Sequence, residues 1–181
     1  MSVHRKRMRR MECVGHVRYL TFSCYQRLPL FQNKKIKDRF CEHLAHARAV
    51  GMFKLYGWVV IPTHVHLLLE PRLPDWTVAN IMHTLKRPFA QEIIGRWRAL
   101  NARILLRMMD RGERIHFWQA GGGYDRNIIS SEEYVEKLRY IHDNPRRAEL
   151  VDRATDWPWS SAGWYGGERM VPIPIDTFGR E

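Results

Sequence analysis

The sequence predicts an α+β domain, a ferredoxin-like sandwich in which one antiparallel sheet carries helices packed on one face. Three observations predict it. β-rich and helix-periodic segments follow one another as strand, helix, strand, strand, helix, strand, helix. Two apolar runs, 53–61 and 64–70, are separated only by Pro62-Thr63, a link short enough to demand an antiparallel hairpin. The 181-residue length supports one domain with a real core and is short for two.

The first strand lies within 16–25, where Val17, Tyr19, Thr21, Ser23 and Tyr25 alternate with Leu20, Phe22 and Cys24, so each set claims one face. Asn33 then caps a helix through Ile36, Phe40, Leu44 and Ala47 to about Val50, and Gly51 stops it. After the hairpin, Asp75 or Thr77 opens a second helix through Val78, Ile81, Met82 and Leu85. Pro88 lacks an N–H and crowds the preceding turn, which predicts a kink or break near Lys86-Arg87 before Phe89, Ile93, Ile94 and Trp97 resume the spacing. A fourth strand is expected between Phe117 and Ile129, interrupted at Gly121-Gly122-Gly123, where a bulge or a close backbone approach suits glycine. Ser130 followed by Glu132 and Glu133 starts the last helix, and Pro145 places its end at or near Asn144.

A formal charge of +11 points to a polyanionic partner, with nucleic acid ahead of an anionic membrane. No 18-residue apolar run exists and the basic start lacks the apolar stretch of a signal peptide, so a soluble cytoplasmic protein with no membrane partner is expected. Cys13, Cys24 and Cys41 lack metal-type spacing and read as reduced small hydrophobes. Residues 1–12 form a basic arm with Arg5, Lys6, Arg7, Arg9 and Arg10, residues 13–150 form the main domain, and residues 151–181 form a tryptophan-rich tail packed on it. Lys86, Arg87, Arg96, Arg146 and Arg147 are the further candidates for phosphate contacts.

His64 and His66 stand two apart on a strand and project from the same face, while Val65 points into the core. Tyr140 and Asn144 stand four apart on the last helix and share its face. Two imidazoles and an amide oxygen make a three-ligand metal set with open positions, for which imidazole preference alone suggests zinc or manganese. A phenol is a weak nucleophile at neutral pH, and a Lewis acid on the electrophile would remedy that.

These residues are similar to a known family. Ile61-Pro-Thr-His-Val-His-Leu, Phe117-Trp-Gln with Tyr124-Asp125, Tyr140-Ile-His-Asp-Asn-Pro and Asp156-Trp-Pro-Trp-Ser-Ser resemble the single-tyrosine HUH transposases, in particular their REP-associated branch. The resemblance implies Tyr140 as nucleophile, His64, His66 and Asn144 as ligands of Mg²⁺ or Mn²⁺, and single-stranded DNA bearing a palindromic hairpin as partner. The implied activity is that of a DNA endonuclease and strand transferase working through a 5′-phosphotyrosine, with a monomer favoured over a homodimer. The alternatives are a catalytically silent nucleic-acid-binding module and a phosphohydrolase of small substrates; the charge and the tyrosine argue against the latter.

Overall fold

The computed structural model describes residues 12–121, 123–168 and 170–178. Its elements are β1 (Arg18–Ser23), α1 (Lys34–Ala49), β2 (Phe53–Ile61), β3 (His64–Pro71), α2 (Val78–Ala99), α3 (Ile104–Met108), β4 (Tyr124–Asn127), α4 (Ser131–Arg147) and α5 (Ala162–Tyr165). The strands form one antiparallel sheet ordered β2-β3-β1-β4. β3 and β1 are therefore central, and β3 carries the histidines.

The helix starts obey the capping logic of the sequence. Asn33 Oδ1 accepts from the Lys35 N–H at 2.8 Å, Thr77 Oγ1 from Asn80 at 3.2 Å and Ser130 Oγ from Glu133 at 3.1 Å. No apolar periodicity in the sequence points to the short α3.

The two faces of β1 separate as the alternation predicts. Leu20 and Phe22 join Val65, Leu67 and Leu69 of β3 in a large core under α1 and α2. Val17 and Tyr19 join Leu68, Val59 and Tyr134 and Ile141 of α4 in a second core. The sheet is the antiparallel α+β one expected, but its helices occupy both faces, α1 and α2 on one and α4 on the other. The cause is that the histidine face of the sheet is itself apolar at Val59, Ile61 and Leu68, all buried, and requires a cover. A β-bulge at Tyr56 assists: the register shifts between Leu55 and Gly57, and a Cβ on Gly57 would lie 2.6 Å from Leu138 Cδ1 of α4. α4 is thus seated directly on the sheet.

Neither proline ends its helix. α2 is continuous through Pro88: the loss of about 3 kcal/mol expected for an interior proline is offset by burying Phe89 and Ile93 beyond it, worth about 1.5–3 kcal/mol each. The Lys86 carbonyl just before the proline accepts from Trp118 Nε1 at 2.9 Å. α4 likewise runs three residues past Asn144, because Pro145 is buried and the last turn closes through Ala148 N–H to Asn144 O and Leu150 N–H to Pro145 O, each at 3.0 Å. Asn144 is consequently held by a full helical turn on either side.

The chain after α4 runs along the outer edge of β2. Val60 N–H donates to Trp159 O at 2.9 Å, Trp157 Nε1 to Val60 O at 2.9 Å and Trp58 N–H to Ser161 Oγ at 3.0 Å. Ile173 and Ile175 enter the larger core. An edge that would otherwise expose unpaired backbone is covered. No helix among the described residues is long and apolar enough to cross a membrane.

Candidate active site

β3 places His64 and His66 side by side above the α4 face of the sheet, their ring centroids 4.6 Å apart and their planes nearly perpendicular at 86°. Val65 between them is fully buried in the opposite core, so the strand cannot rotate to withdraw the pair. His66 is 3% exposed. Thr21 lies directly opposite it in the β1–β3 ladder, and both Thr21 Oγ1, at 2.8 Å, and Tyr19 Oη, at 2.9 Å, meet its Nδ1. On the other side of the ring Asn144 Nδ2 lies 3.1 Å from Nε2. The amide nitrogen donates, so Nε2 carries the lone pair and the ring proton sits on Nδ1, shared between the two hydroxyl oxygens. His64 Nδ1 is engaged by Thr63 Oγ1 at 2.9 Å.

Both imidazoles are neutral at pH 7. Burial pushes His64 down to about 4, reinforced by the positive charge of Arg27. Burial also pushes His66 down to about 3, with His64 and Arg27 adding to the effect. A neutral imidazole with its proton on Nδ1, as in His66, carries its lone pair on Nε2 towards Asn144, and metal-bound imidazoles are held in the same manner. The amide of Asn144, buried at 7% exposure, stands beside them. The donor set therefore fits a small divalent ion, even though no group of three or more His, Cys, Asp or Glu is gathered anywhere among the described residues.

Tyr140 comes from α4, one turn before Asn144. Its ring lies 5.6 Å from that of His66 at 88° and 6.4 Å from that of Tyr19 at 87°, and it remains 38% exposed. Arg147, two turns on, sets its guanidinium carbon 5.1 Å from the Tyr140 ring centroid. These groups open on a cleft of about 340 Å³ whose walls also include Ser23, Arg27, Tyr124 and Lys137. Among the described residues no carboxylate lines it, and burial holds the neighbouring Tyr19 phenol up at about 12, so it stays protonated.

The four residues expected from the sequence to form the site, His64, His66, Tyr140 and Asn144, are brought together. The expected phosphate-binding residues are scattered. Arg147 reaches Tyr140, whereas Arg146 is turned onto Asp143, with contacts of 2.6 and 3.1 Å. Lys86 and Arg87 belong to α2, on the opposite face of the sheet, and line a separate groove. Arg96 borders a cleft that also holds Asp38, Glu42 and Glu92. Arg5, Lys6, Arg7, Arg9 and Arg10 lie outside the described residues.

Sequence reading did not single out Tyr19, Thr21, Arg27 or Lys137. Lys137 was within reach of it, being three before Tyr140 on the same helical face. Tyr19 and Thr21 lie on a face the alternation identified, but only the pairing of β1 with β3 reveals what that face meets. Arg27 sits in an irregular turn with no periodicity to expose it. His142, on the far side of α4, meets Ser161 Oγ at 2.9 Å and is structural. Glu70 accepts from the Tyr56 phenol at 2.6 Å.

A four-stranded antiparallel sheet with a histidine pair on a central strand facing a helix-borne tyrosine defines a single-domain α+β protein with a histidine–tyrosine cleft. The family model described as transposase IS200 like matches residues 14–144, and the chain belongs to that family. The matched stretch includes both histidines, Tyr140 and Asn144. Among solved structures the chain is similar to a REP-associated tyrosine transposase bound to a REP hairpin, at 20% identity and a TM-score of 0.67, covering 97% of this chain and 93% of that one. A putative transposase from Deinococcus radiodurans is also similar, at 16% identity and a TM-score of 0.47, covering 76% of this chain and 97% of that one. No curated protein sequence matches.

Proposed function

We propose that the chain is a metal-dependent single-stranded DNA endonuclease and strand transferase, cutting beside a hairpin with Tyr140 as nucleophile. The observation that carries this reading is the Tyr140 ring 5.6 Å from His66 in a cleft with no carboxylate among the described residues that line it. A phosphodiester is an anion, and a cleft bordered by Arg27 and Lys137 rather than by acids admits it.

In the forward step Tyr140 Oη attacks phosphorus, the bond from phosphorus to the 3′ oxygen breaks, and the departing oxygen takes up a proton to become a 3′-hydroxyl. The products are a 5′-phosphotyrosyl protein and a free 3′ end. Attack by a 3′-hydroxyl on the phosphotyrosine reverses the sequence and rejoins strands without ATP, because the phosphodiester energy is kept in the covalent link. Nε2 of His64 and of His66 and the amide oxygen of Asn144 would hold Mg²⁺ or Mn²⁺, which would supply Lewis-acid polarisation of the scissile phosphate. Tyr19 and Thr21 keep the His66 proton on Nδ1, so Nε2 carries the lone pair, which here accepts from Asn144 Nδ2 and would turn to the metal as that amide presents its oxygen instead. Arg147 holds the Tyr140 ring at the cleft mouth.

Tyrosine and histidines meet within one chain, which supports action as a monomer. The hairpin partner is supported by the DNA bound to the similar REP-associated transposase. The test uses a single-stranded hairpin oligonucleotide from the flanks of the protein's own gene, incubated with Mg²⁺ or Mn²⁺. Wild type is expected to yield a cleaved strand and a protein–DNA adduct resistant to denaturant, and Tyr140→Phe neither. Equal cutting by both proteins overturns the assignment, and hairpin binding without any adduct identifies a silent binding module instead.

A further inference from the structure

A second cleft, on the other face of the sheet, has no place in the chemistry above. It is the larger of the two, about 760 Å³, and runs between α2 and the stretch from Ile115 to Trp118. Its floor is apolar and aromatic, with Ile94 and Phe117 beside Trp118, which is 9% exposed. Its rim is basic: Arg87 and Arg98 are exposed, and Lys86 Nζ stands 5.7 Å from the Trp118 ring centroid. Among the described residues no Asp or Glu lines it.

That last property is selective, even in a chain of this charge. Three other surface clefts each include carboxylates: Asp38, Glu42 and Glu92 in one, Asp176 in another, Glu149 and Asp152 in a third. The α2 groove shares its freedom from acids with the histidine–tyrosine cleft. The two are also neighbours along the chain. Gly121 lines the groove and Tyr124 lines the cleft, and two residues beside them are strapped to β1, Gln119 through its N–H to Ser23 O at 2.9 Å and Gly123 where a Cβ would come within 2.1 Å of Thr21 O.

A groove with cations along the rim and an apolar floor suits a single strand, since phosphates follow the charges and unpaired bases find apolar surface between them. We propose that the α2 groove binds the unpaired DNA strand that extends from the histidine–tyrosine cleft, so that the protein grips its substrate on both faces of the sheet. The proposal rests on the DNA-processing reading above for its ligand, but not on the nucleophile or the metal.

The test is fluorescence anisotropy with two probes, a bare hairpin and the same hairpin carrying a single-stranded extension, against wild type and the double variant Arg87→Ser, Arg98→Ser. Both arginines are exposed, so circular dichroism melting is expected to match wild type and to exclude misfolding. Wild type is expected to bind the extended probe at least about tenfold more tightly than the bare hairpin, and the variant to lose that ratio. The slope of log K against log salt on the extended probe should fall by about 1.4, two phosphate contacts at about 0.7 each. A 5-iodouracil in the extension should crosslink within residues 115–118 on irradiation. An extension that adds no affinity, or a variant that keeps the wild-type ratio, overturns the proposal. Failure of wild type to form a Tyr140 adduct while the extension still binds through Arg87 and Arg98 overturns the catalytic reading and leaves the groove standing.

Discussion

Asn144 Nδ2 lies 3.1 Å from His66 Nε2, a buried contact between α4 and β3 that spans 78 residues of sequence. It ties the helix carrying Tyr140 to the strand carrying the histidines. Two consequences follow from a single substitution. Asn144→Ala strands a buried imidazole acceptor, which costs about 1–3 kcal/mol, and it removes an oxygen donor from the proposed metal set. The expected outcome is a lower urea midpoint, Mn²⁺ affinity reduced at least about tenfold by calorimetry, and cleavage reduced in parallel with hairpin affinity kept. Unchanged Mn²⁺ affinity would remove Asn144 from the ligand set.

On the far side of the same ring, Tyr19 and Thr21 share the Nδ1 proton of His66. Either hydroxyl suffices to hold the tautomer, so Tyr19→Phe and Thr21→Val should each have mild effects and the pair a greater than additive one. About 10–100-fold loss of metal affinity in the double variant is expected. Nitrogen-15 NMR of the imidazoles provides the check that a purely structural role would not satisfy: the Nδ1-protonated pattern of His66 should persist in each single variant and mix with the other tautomer in the double. A double variant no worse than the sum of the singles would show that the hydroxyls act independently.

His142 gives stability a pH dependence of defined sign. Buried against Ser161, its folded-state pKa is pushed down to about 4 by desolvation, while the unfolded imidazole titrates near ~6.5. The unfolded chain therefore binds a proton that the folded chain refuses. The neutral imidazole's contribution is complete above pH ~6.5 and is lost as pH falls towards ~4, amounting to about 2 kcal/mol at pH 5 from this residue. His64 and His66, with pKa values lowered in the same direction, add to the trend. Urea unfolding of wild type should show stability falling from pH 7.5 to 5, and His142→Gln should flatten part of the slope. A slope unaltered by His142→Gln would mean that this histidine titrates normally in the fold.

Much of the molecule is legible in the sequence because it is written in short-range terms. Asn33 and Ser130 mark helix starts by chemistry confined to three or four residues, and the alternation of β1 assigns each of its side chains to a face. The spacing of Tyr140 and Asn144 puts them on one stripe, and that of His64 and His66 on one face of a strand. What was not legible is long-range. Nothing local says that Thr21 falls opposite His66, that a bulge at Tyr56 clears Gly57 for Leu138, or that α4 must cover the histidine face while α1 and α2 cover the other. The reach of α2 and α4 past their prolines is long-range for the same reason. Local sterics ends a helix at Pro88 or Pro145, and burial of Phe89, Ile93 and Pro145 itself overrides it. The triple glycine, by contrast, was informative, since Gly123 has φ +72° and meets the Thr21 carbonyl so closely that no side chain fits.

Arg27 is the residue of the cleft that neither periodicity nor motif announces, and its backbone explains its placement. After β1 the chain turns through Gln26 at φ 49° and Arg27 at φ 55°, two successive non-glycine residues in left-handed geometry. Such conformations cost of order ~1 kcal/mol each and gather where a site demands them. The turn is held by Gln119 Oε1, which accepts from Gln26 N–H at 2.9 Å, and by Arg27 N–H to Cys24 O at 3.0 Å. It swings the arginine side chain over the histidines, where its charge helps to keep both neutral. Among the described residues the guanidinium has neither an ion pair nor a hydrogen bond, which suits a group awaiting a phosphate. Arg27→Ala should therefore lower single-turnover cleavage by about 10²-fold or more, the scale of removing one preorganised donor from a developing charge, while Arg27→Lys, which keeps the charge and loses the fork, should recover only part. Arg27→Gly, which relieves the backbone strain, should be more stable to urea than Arg27→Ala yet equally inactive. If Arg27→Ala cleaved at the wild-type rate, the strained turn would serve the fold and not the phosphate.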